Sequence, residues 1–286
     1  MLSNEAAAAV PRNVFSVDVE DYFQVGAFEG CIRRESWDTF ERRVEANTQR
    51  LLELCADHGV RGTFFVLGWV AERCPALVRA IGAAGHELAT HGHDHRRVTE
   101  MAPEEFRQDV RRAKRTVEDA GGCVVLGYRA PNYSMVRDTL WAMDVLLEEG
   151  FAYDSSIFPT RHRRYGIPSF PRFAWAVRGR GRELLLELPI STVRLGGLAL
   201  PFLGGAYLRH FPFAYVRWGL RRVNRTEGRS AVLYTHPWEI DPEQPRQRTS
   251  LRNRVRHYRN LHVTRDRLAC LFREFRFTTA REVLGL

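Results

Sequence analysis

Between Val14 and Glu20 apolar and polar positions alternate with a period of two: Phe15, Val17 and Val19 interleave with Ser16, Asp18 and Glu20, as in a strand with two unlike faces. A helical period follows. Asp38-Thr-Phe-Glu41 has the form of a capping box, Val44, Leu51, Leu52 and Cys55 fall on one helical face, and Gly59 supplies a stop. Gly62-Thr-Phe-Phe-Val66 then predicts a short buried strand, Val70 to Ala84 a helix ended by Gly85, and His86 to Thr90 another strand. Pro103 to Gly121 predicts a long helix, with its proline at the first helical position and Glu104 and Glu105 near the positive end of the dipole. Val124 to Tyr128, a helix near Asp138 to Glu149, and Phe151 to Tyr153 continue the series. Strands alternating with helices in this way predict an α/β class with parallel strands.

The alternation breaks between residues 158 and 205, where glycine, proline and arginine crowd around an expected strand pair over Leu184 to Val193. It returns with a helix from about Ala214 to Asn224 and a strand over Ser230 to Tyr234. Glu239 to Arg248 reads as a loop, and helices near Leu251 to Asn260 and Arg265 to Phe275 close the chain. The expected organisation is a tail over residues 1–13 and a single domain over 14–286, with an insertion around 158–205 and a helical extension around 249–286. No internal repeat is visible.

Composition narrows the picture. With 286 residues and 44% hydrophobic content, the chain is an ordinary globular protein in size and polarity. Its five cysteines are scattered and never in a C-x-x-C pair, which argues against a disulfide framework or a cysteine zinc site and for a reducing compartment. The net charge of +9 raises nucleic acid as a partner, but only one of the 43 basic residues is lysine (Lys114) and the arginines are dispersed from Arg12 to Arg281. A genome-wide preference for arginine accounts for that distribution, so no nucleic-acid partner is predicted. Met1 to Val10 lacks a basic segment followed by an apolar one. The uncharged stretch between Arg194 and Arg209 is too short and too rich in glycine to cross a bilayer. The expectation is a cytoplasmic protein without a transmembrane segment, with peripheral contact to the inner membrane open through that apolar stretch. Oligomeric state is not legible.

Four strand ends carry polar residues unsuited to a core, and functional groups in β/α folds gather at those ends. Asp18 and Glu20 share one face of the first strand, so one carboxyl should be pushed upward in pKa unless a cation neutralises the pair. Thr90-His91-Gly-His93-Asp-His95 offers three imidazoles in five residues, a pattern that suits a divalent metal better than packing. Tyr128-Arg129-Ala-Pro131-Asn132-Tyr133 sends an arginine out of a buried strand, either as a structural ion pair or to hold a catalytic carboxylate ionised. His236 ends the last clear strand in Leu233-Tyr-Thr-His236-Pro-Trp238-Glu239.

Together these motifs, Asp18-Val-Glu20-Asp21, His91-x-x-x-His95, Arg129-x-Pro131 and Leu233-x-x-His236, resemble the NodB-homology polysaccharide deacetylases, carbohydrate esterase family 4. Gly62-Thr-Phe-Phe-Val66 and Gly85-His-Glu-Leu-Ala-Thr-His91 add to the resemblance, which runs from about Val14 to His236. His236-Pro-Trp-Glu resembles the branch associated with bacterial exopolysaccharide gene clusters. The resemblance implies a distorted, incomplete (β/α) barrel and a metal-dependent hydrolase that removes N-acetyl groups from a polysaccharide. It implies Asp18 as general base, Arg129 as its orienting cation, His236 as general acid, and His91 and His95 as ligands of a divalent metal, zinc being expected. Where the family has two adjacent aspartates, Val19 follows Asp18, so the carboxylate ligand is Glu20 or Asp21.

The expected reaction has Asp18 taking a proton from metal-activated water and His236 protonating the departing amine. The metal and a backbone amide near Asn132 or Tyr133 would hold the oxyanion. Tyr133, Phe170, Trp175 and Trp238 are candidates for stacking on sugar rings. Two other functions remain: hydrolysis of a small amide or cyclic ureide at the same metal site, and a non-catalytic carbohydrate-binding or assembly protein.

Overall fold

Four parallel strands built from the predicted alternations form the centre of the sheet: β1 (Asn13–Val19), β2 (Thr63–Val66), β3 (Glu87–Thr90) and β4 (Gly127–Tyr128). The computed structural model describes residues 10–162, 165–178 and 184–286. Of the expected tail over 1–13, residues 1–9 lie outside the described residues, and Asn13 already belongs to β1, buried and hydrogen-bonded to Asn224. The remaining strands are β5 (Tyr153–Asp154), β6 (Trp175–Arg178), β7 (Leu184–Glu187), β8 (Thr192–Leu195), β9 (Leu198–Pro201), β10 (Val232–Thr235) and β11 (Phe277–Thr278). The main sheet runs β10-β1-β2-β3-β4-β5-β7-β6, with β11 also paired to β1. Every pairing in it is parallel except β6 with β7. The sheet curls into the incomplete (β/α) barrel that the motifs implied.

Helices cover the sheet: α1 (Val44–Asp57), α2 (Gly68–Arg73), α3 (Pro75–Ala83), α4 (Pro103–Gly121), α5 (Trp141–Glu148), α6 (Gly205–His210), α7 (Phe213–Arg221), α8 (Leu251–Tyr258), α9 (Thr264–Glu274) and α10 (Ala280–Leu284). The amphipathic pattern of α4 turns Phe106, Val110, Ala113, Val117 and Ala120 onto the core. Three expectations change. The helix expected over Val70 to Ala84 is two helices, because Pro75 has no amide hydrogen to continue the first and starts the second. Asp38 does not cap α1; it lies in a 3-10 turn, Arg34–Thr39, and pairs with Arg73. The insertion's two expected strands exist but do not pair with each other. Leu184–Glu187 joins the main sheet between β5 and β6, while Thr192–Leu195 folds back on β9 through Gly196-Gly197. Both glycines have positive φ, 55° and 82°, as a two-residue hairpin turn of this hand requires.

Candidate active site

Each of the motifs sits where a parallel strand runs out, and the ladder holds its first residue in place. His91 donates its amide to Val66 O at 2.9 Å and Arg129 donates its own to Thr90 O at 3.0 Å, one residue beyond β3 and β4. Asp18 lies near the end of β1, Glu20 in the tight turn that follows, and His236 directly after β10. Asp18, Glu20, His91, His95 and His236 therefore face one cavity of about 860 Å³.

Arg129 is fully buried and clamped from every side. Nη1 donates to Asp18 Oδ1 at 2.7 Å and to Ser16 Oγ at 2.9 Å, while Nε and Nη2 reach the carbonyl and hydroxyl of Ser155. The guanidinium lies over the Phe65 ring. A charge-assisted bond of this kind keeps one Asp18 oxygen engaged and turns Oδ2 to the cavity, 3.8 Å from His236 Nε2.

Glu20, His91 and His95 form the second group, with one potential ligand atom from each lying within 4.8 Å of the others. His91 Nδ1 is 2.9 Å from the Arg129 carbonyl, so the tautomer that donates there leaves Nε2 as a lone pair facing the cavity. Burial pulls the His91 pKa down to about 4, outweighing the nearby carboxylates, and keeps the ring neutral. His95 adopts a left-handed backbone, φ 52°, which carries its ring back toward His91. Glu20 Oε2 is buried 2.8 Å from His95 Nε2 and makes no hydrogen bond. Burial would raise the Glu20 pKa, but His95, His236 and His91 outweigh it and hold the carboxyl at about 2. A neutral imidazole, a second imidazole and an ionised carboxylate with an orphaned oxygen are a donor set that fits a divalent metal.

Asp21 does not join them. Oδ2 accepts from the amides of Arg43 and Val44 at 2.7 and 3.0 Å, capping α1 in the place expected for Asp38, and Oδ1 accepts from Tyr22. The Glu20 amide donates to Asp18 O at 3.0 Å, so the chain turns directly after β1, and Asp21 is buried against the start of α1. His93 is likewise occupied, between Asp94 at 2.7 Å and Glu72 at 3.0 Å.

The expected sugar-stacking residues divide. Tyr133 lines the cavity, its buried hydroxyl without a hydrogen-bond partner, against Tyr234 and Tyr165. Asn132 also lines it and is fixed at φ 55° by a bond from its amide to Glu29. Trp238 is no platform: its ring is buried between His236 and His257, and Nε1 donates to Glu20 Oε1 at 3.2 Å. Phe170 and Trp175 contact each other near the β6 edge, away from the cavity lining.

Sequence reasoning passed over the group behind His236. Nδ1 is 3.0 Å from Glu239 Oε2, and Glu239 in turn accepts from the buried Arg209 at 2.7 Å. Burial disfavours the imidazolium, yet the Glu239 bond and the charges of Glu20 and Asp18 raise its pKa to about 9. Burial would raise Glu239, but Arg209 and His236 outweigh it and hold it at about 2. The spacing His236-x-x-Glu239 in a turn was a usable signal. Arg209 had none, since α6 reaches the site only because Gly204 and Gly205, at φ 86° and 48°, let the backbone pass against the Tyr234 ring.

With this geometry in place, the chain shows likeness to known proteins in part of its length and in its fold. A polysaccharide deacetylase model matches residues 33–146, and a domain of unknown function, DUF3473, matches residues 155–285. Residues 33–146 of this chain are thus similar to the polysaccharide deacetylases. It is 34% identical over 159 residues to a chitooligosaccharide deacetylase of Sinorhizobium fredii, covering 54% of this chain and 64% of that protein. The chain thus spans less than two thirds of that curated relative. Among solved structures, a putative polysaccharide deacetylase from Mycobacterium smegmatis superposes with a TM-score of 0.62 at 22% identity, covering 93% of this chain and 85% of its own. A probable polysaccharide deacetylase from Pseudomonas aeruginosa reaches 0.64 at 15% identity, covering 96% and 89%. These structural likenesses show the deacetylase fold. The two matched ranges also divide the site. His91, His95 and Arg129 fall in the deacetylase range and Arg209, His236 and Glu239 in the other, while Asp18 and Glu20 precede both.

Proposed function

We propose that this protein is a metal-dependent hydrolase that removes N-acetyl groups from amino sugars of a polysaccharide, in exopolysaccharide biosynthesis. The observation that carries the reading is the convergence of three roles in one cavity: Asp18 clamped by Arg129, the Glu20, His91 and His95 trio, and His236 with Nε2 between Asp18 and Glu20 at 3.8 and 3.6 Å. Glu20, His91 and His95 would hold the metal, with zinc the expected ion and Asp21 no longer a candidate. When bound, such an ion supplies Lewis acidity, polarising the acetyl carbonyl and making water a better nucleophile.

Asp18 takes a proton from the attacking water on Oδ2, while Arg129 keeps the carboxylate oriented through Oδ1. The carbonyl oxygen gains charge in the tetrahedral state. Tyr133 N–H is already spent on the Ala130 carbonyl at 3.0 Å, which leaves the Asn132 amide as the backbone donor for that charge. His236, held protonated by Glu239, delivers its proton to the nitrogen as the carbon–nitrogen bond breaks. Acetate and a free amine leave. Five free cysteines fit a reducing compartment, and the cytoplasm is the proposed location; among the described residues no helix is long and apolar enough to cross a membrane.

Purified protein supplied with zinc should release acetate from N-acetylglucosamine oligomers, and a chelator should stop it. Acetate release that a chelator leaves untouched would overturn the metal role. Activity confined to small amides or cyclic ureides would move the substrate to that class, and binding of oligomers without turnover would favour the non-catalytic reading.

A further inference from the structure

Every carboxylate that lines the cavity has a basic partner. Asp18 is held by Arg129, Glu20 stands against His95, Glu29 pairs with Arg97 and Glu239 with Arg209. Two guanidinium groups on the same wall are left over. Arg252 and Arg256 stand four residues apart on α8, are exposed, and form no ion pair or side-chain hydrogen bond among the described residues. No acidic residue occurs from 244 to 260 to neutralise them, although that stretch holds six arginines.

The helix that carries them is fixed over the cavity. Ser250 caps its first turn, Asn253 Nδ2 donates to Ala27 O at 2.7 Å across to the segment after β1, and His257 stacks on Trp238 with ring centres 4.2 Å apart. At its other end Arg209 donates to the carbonyls of Arg256, His257 and Arg259. Side chains four apart on a helix are neighbours, so the two cations converge on one volume, and guanidinium groups match carboxylate and phosphate geometry. At about 860 Å³ the cavity has room beyond a single acetamido sugar.

We propose that Arg252 and Arg256 form an anion subsite, and that the polymer this protein deacetylates carries a negative group, a uronate carboxylate or a phosphodiester, next to the acetylated sugar. The inference rests on the deacetylase reading above. Three oligosaccharides of equal length test it on the zinc-loaded protein: neutral N-acetylglucosamine oligomers, oligomers alternating N-acetylglucosamine with glucuronate, and N-acetylglucosamine units joined by phosphodiesters. One anionic series should exceed the neutral one in kcat/KM by roughly tenfold at low salt, through KM, with the advantage shrinking as salt rises. Which series wins identifies the source of the charge. The double variant R252Q/R256Q should lower that preference about tenfold, whereas Arg254→Gln, on the same helix but off the cavity, should keep it. Equal kcat/KM for all three series, or a preference intact in the double variant, overturns the subsite. Should no series release acetate, the deacetylase reading fails by itself. Calorimetric titration of the same oligomers then decides the subsite: anionic oligomers bound roughly tenfold more weakly by the double variant uphold it, and equal or absent binding refutes it.

Discussion

Glu20 and Asp21 are adjacent carboxylates with opposite duties, and only their surroundings separate them. Glu20 Oε2 is buried with no hydrogen bond, whereas Asp21 accepts from three backbone amides. Glu20→Gln should therefore abolish stoichiometric zinc binding. Asp21→Asn should retain zinc and lose about 1 kcal/mol of stability through the weakened cap on α1. Metal analysis paired with urea denaturation checks both, and zinc lost from the Asp21 variant alone would reverse the assignment. Trp238→Phe keeps the ring between His236 and His257 but removes the bond to Glu20 Oε1, which orients the carboxylate. Groups that orient a ligand typically influence metal affinity ten- to a hundredfold. A loss of about that size in a competitive zinc titration is expected, and an unchanged affinity would show that Glu20 is oriented without the indole.

At the level of elements, two neighbouring strands of the main sheet bury an acidic pair. β5 and β7 place Asp154 directly beside Glu187, both fully buried, each with one carboxyl oxygen lacking a hydrogen bond. Burial drives both upward, Asp154 to about 6 and Glu187 further, so the pair retains a proton that the unfolded chain would release. Between an ordinary aspartate pKa of 3.8 and about 6 the folded state binds more protons, and stability must fall as pH rises through that window. Glu187→Gln removes one titration and can donate an amide hydrogen to Asp154. Its urea midpoint should depend less on pH between 5 and 8 than that of the wild type, and an identical dependence would exclude the pair as the cause. Such details mark the limit of what the sequence discloses. The period of two located β1, short apolar runs located β2, β3 and β10, and Pro103 with Gly121 bounded α4, because those signals are local in the chain. The chemistry at the strand ends was legible for the same reason. The destination of β7 was not, since pairing partners depend on how the sheet curls, and Trp238 read as a sugar platform because burial between two imidazoles leaves no trace in spacing.

On the scale of the whole molecule, the site draws on two stretches of chain that match different families, and within the second a buried ion pair organises the chemistry around His236. Glu239 receives Arg209 on Oε1 and His236 on Oε2, and Arg209 also anchors the end of α8. Both charges are almost wholly removed from water, so taking away one partner strands the other. Arg209→Met should cost about 3–5 kcal/mol in urea denaturation, and pairing it with Glu239→Gln should cost less than the two changes added together, because the stranded charge is gone. Glu239→Gln alone separates structure from catalysis. Arg209 keeps its three carbonyl partners, Glu20, His91 and His95 are untouched, and the zinc content should equal that of the wild type. His236 loses the carboxylate that orients it and favours its protonated form, so kcat for acetate release should fall by a factor of about 10²–10⁴, the usual worth of a general acid. Full turnover in this variant would remove His236 from the proton-donor role. Loss of zinc together with turnover would mean that Glu239 acts by shaping the metal site and not through the imidazole.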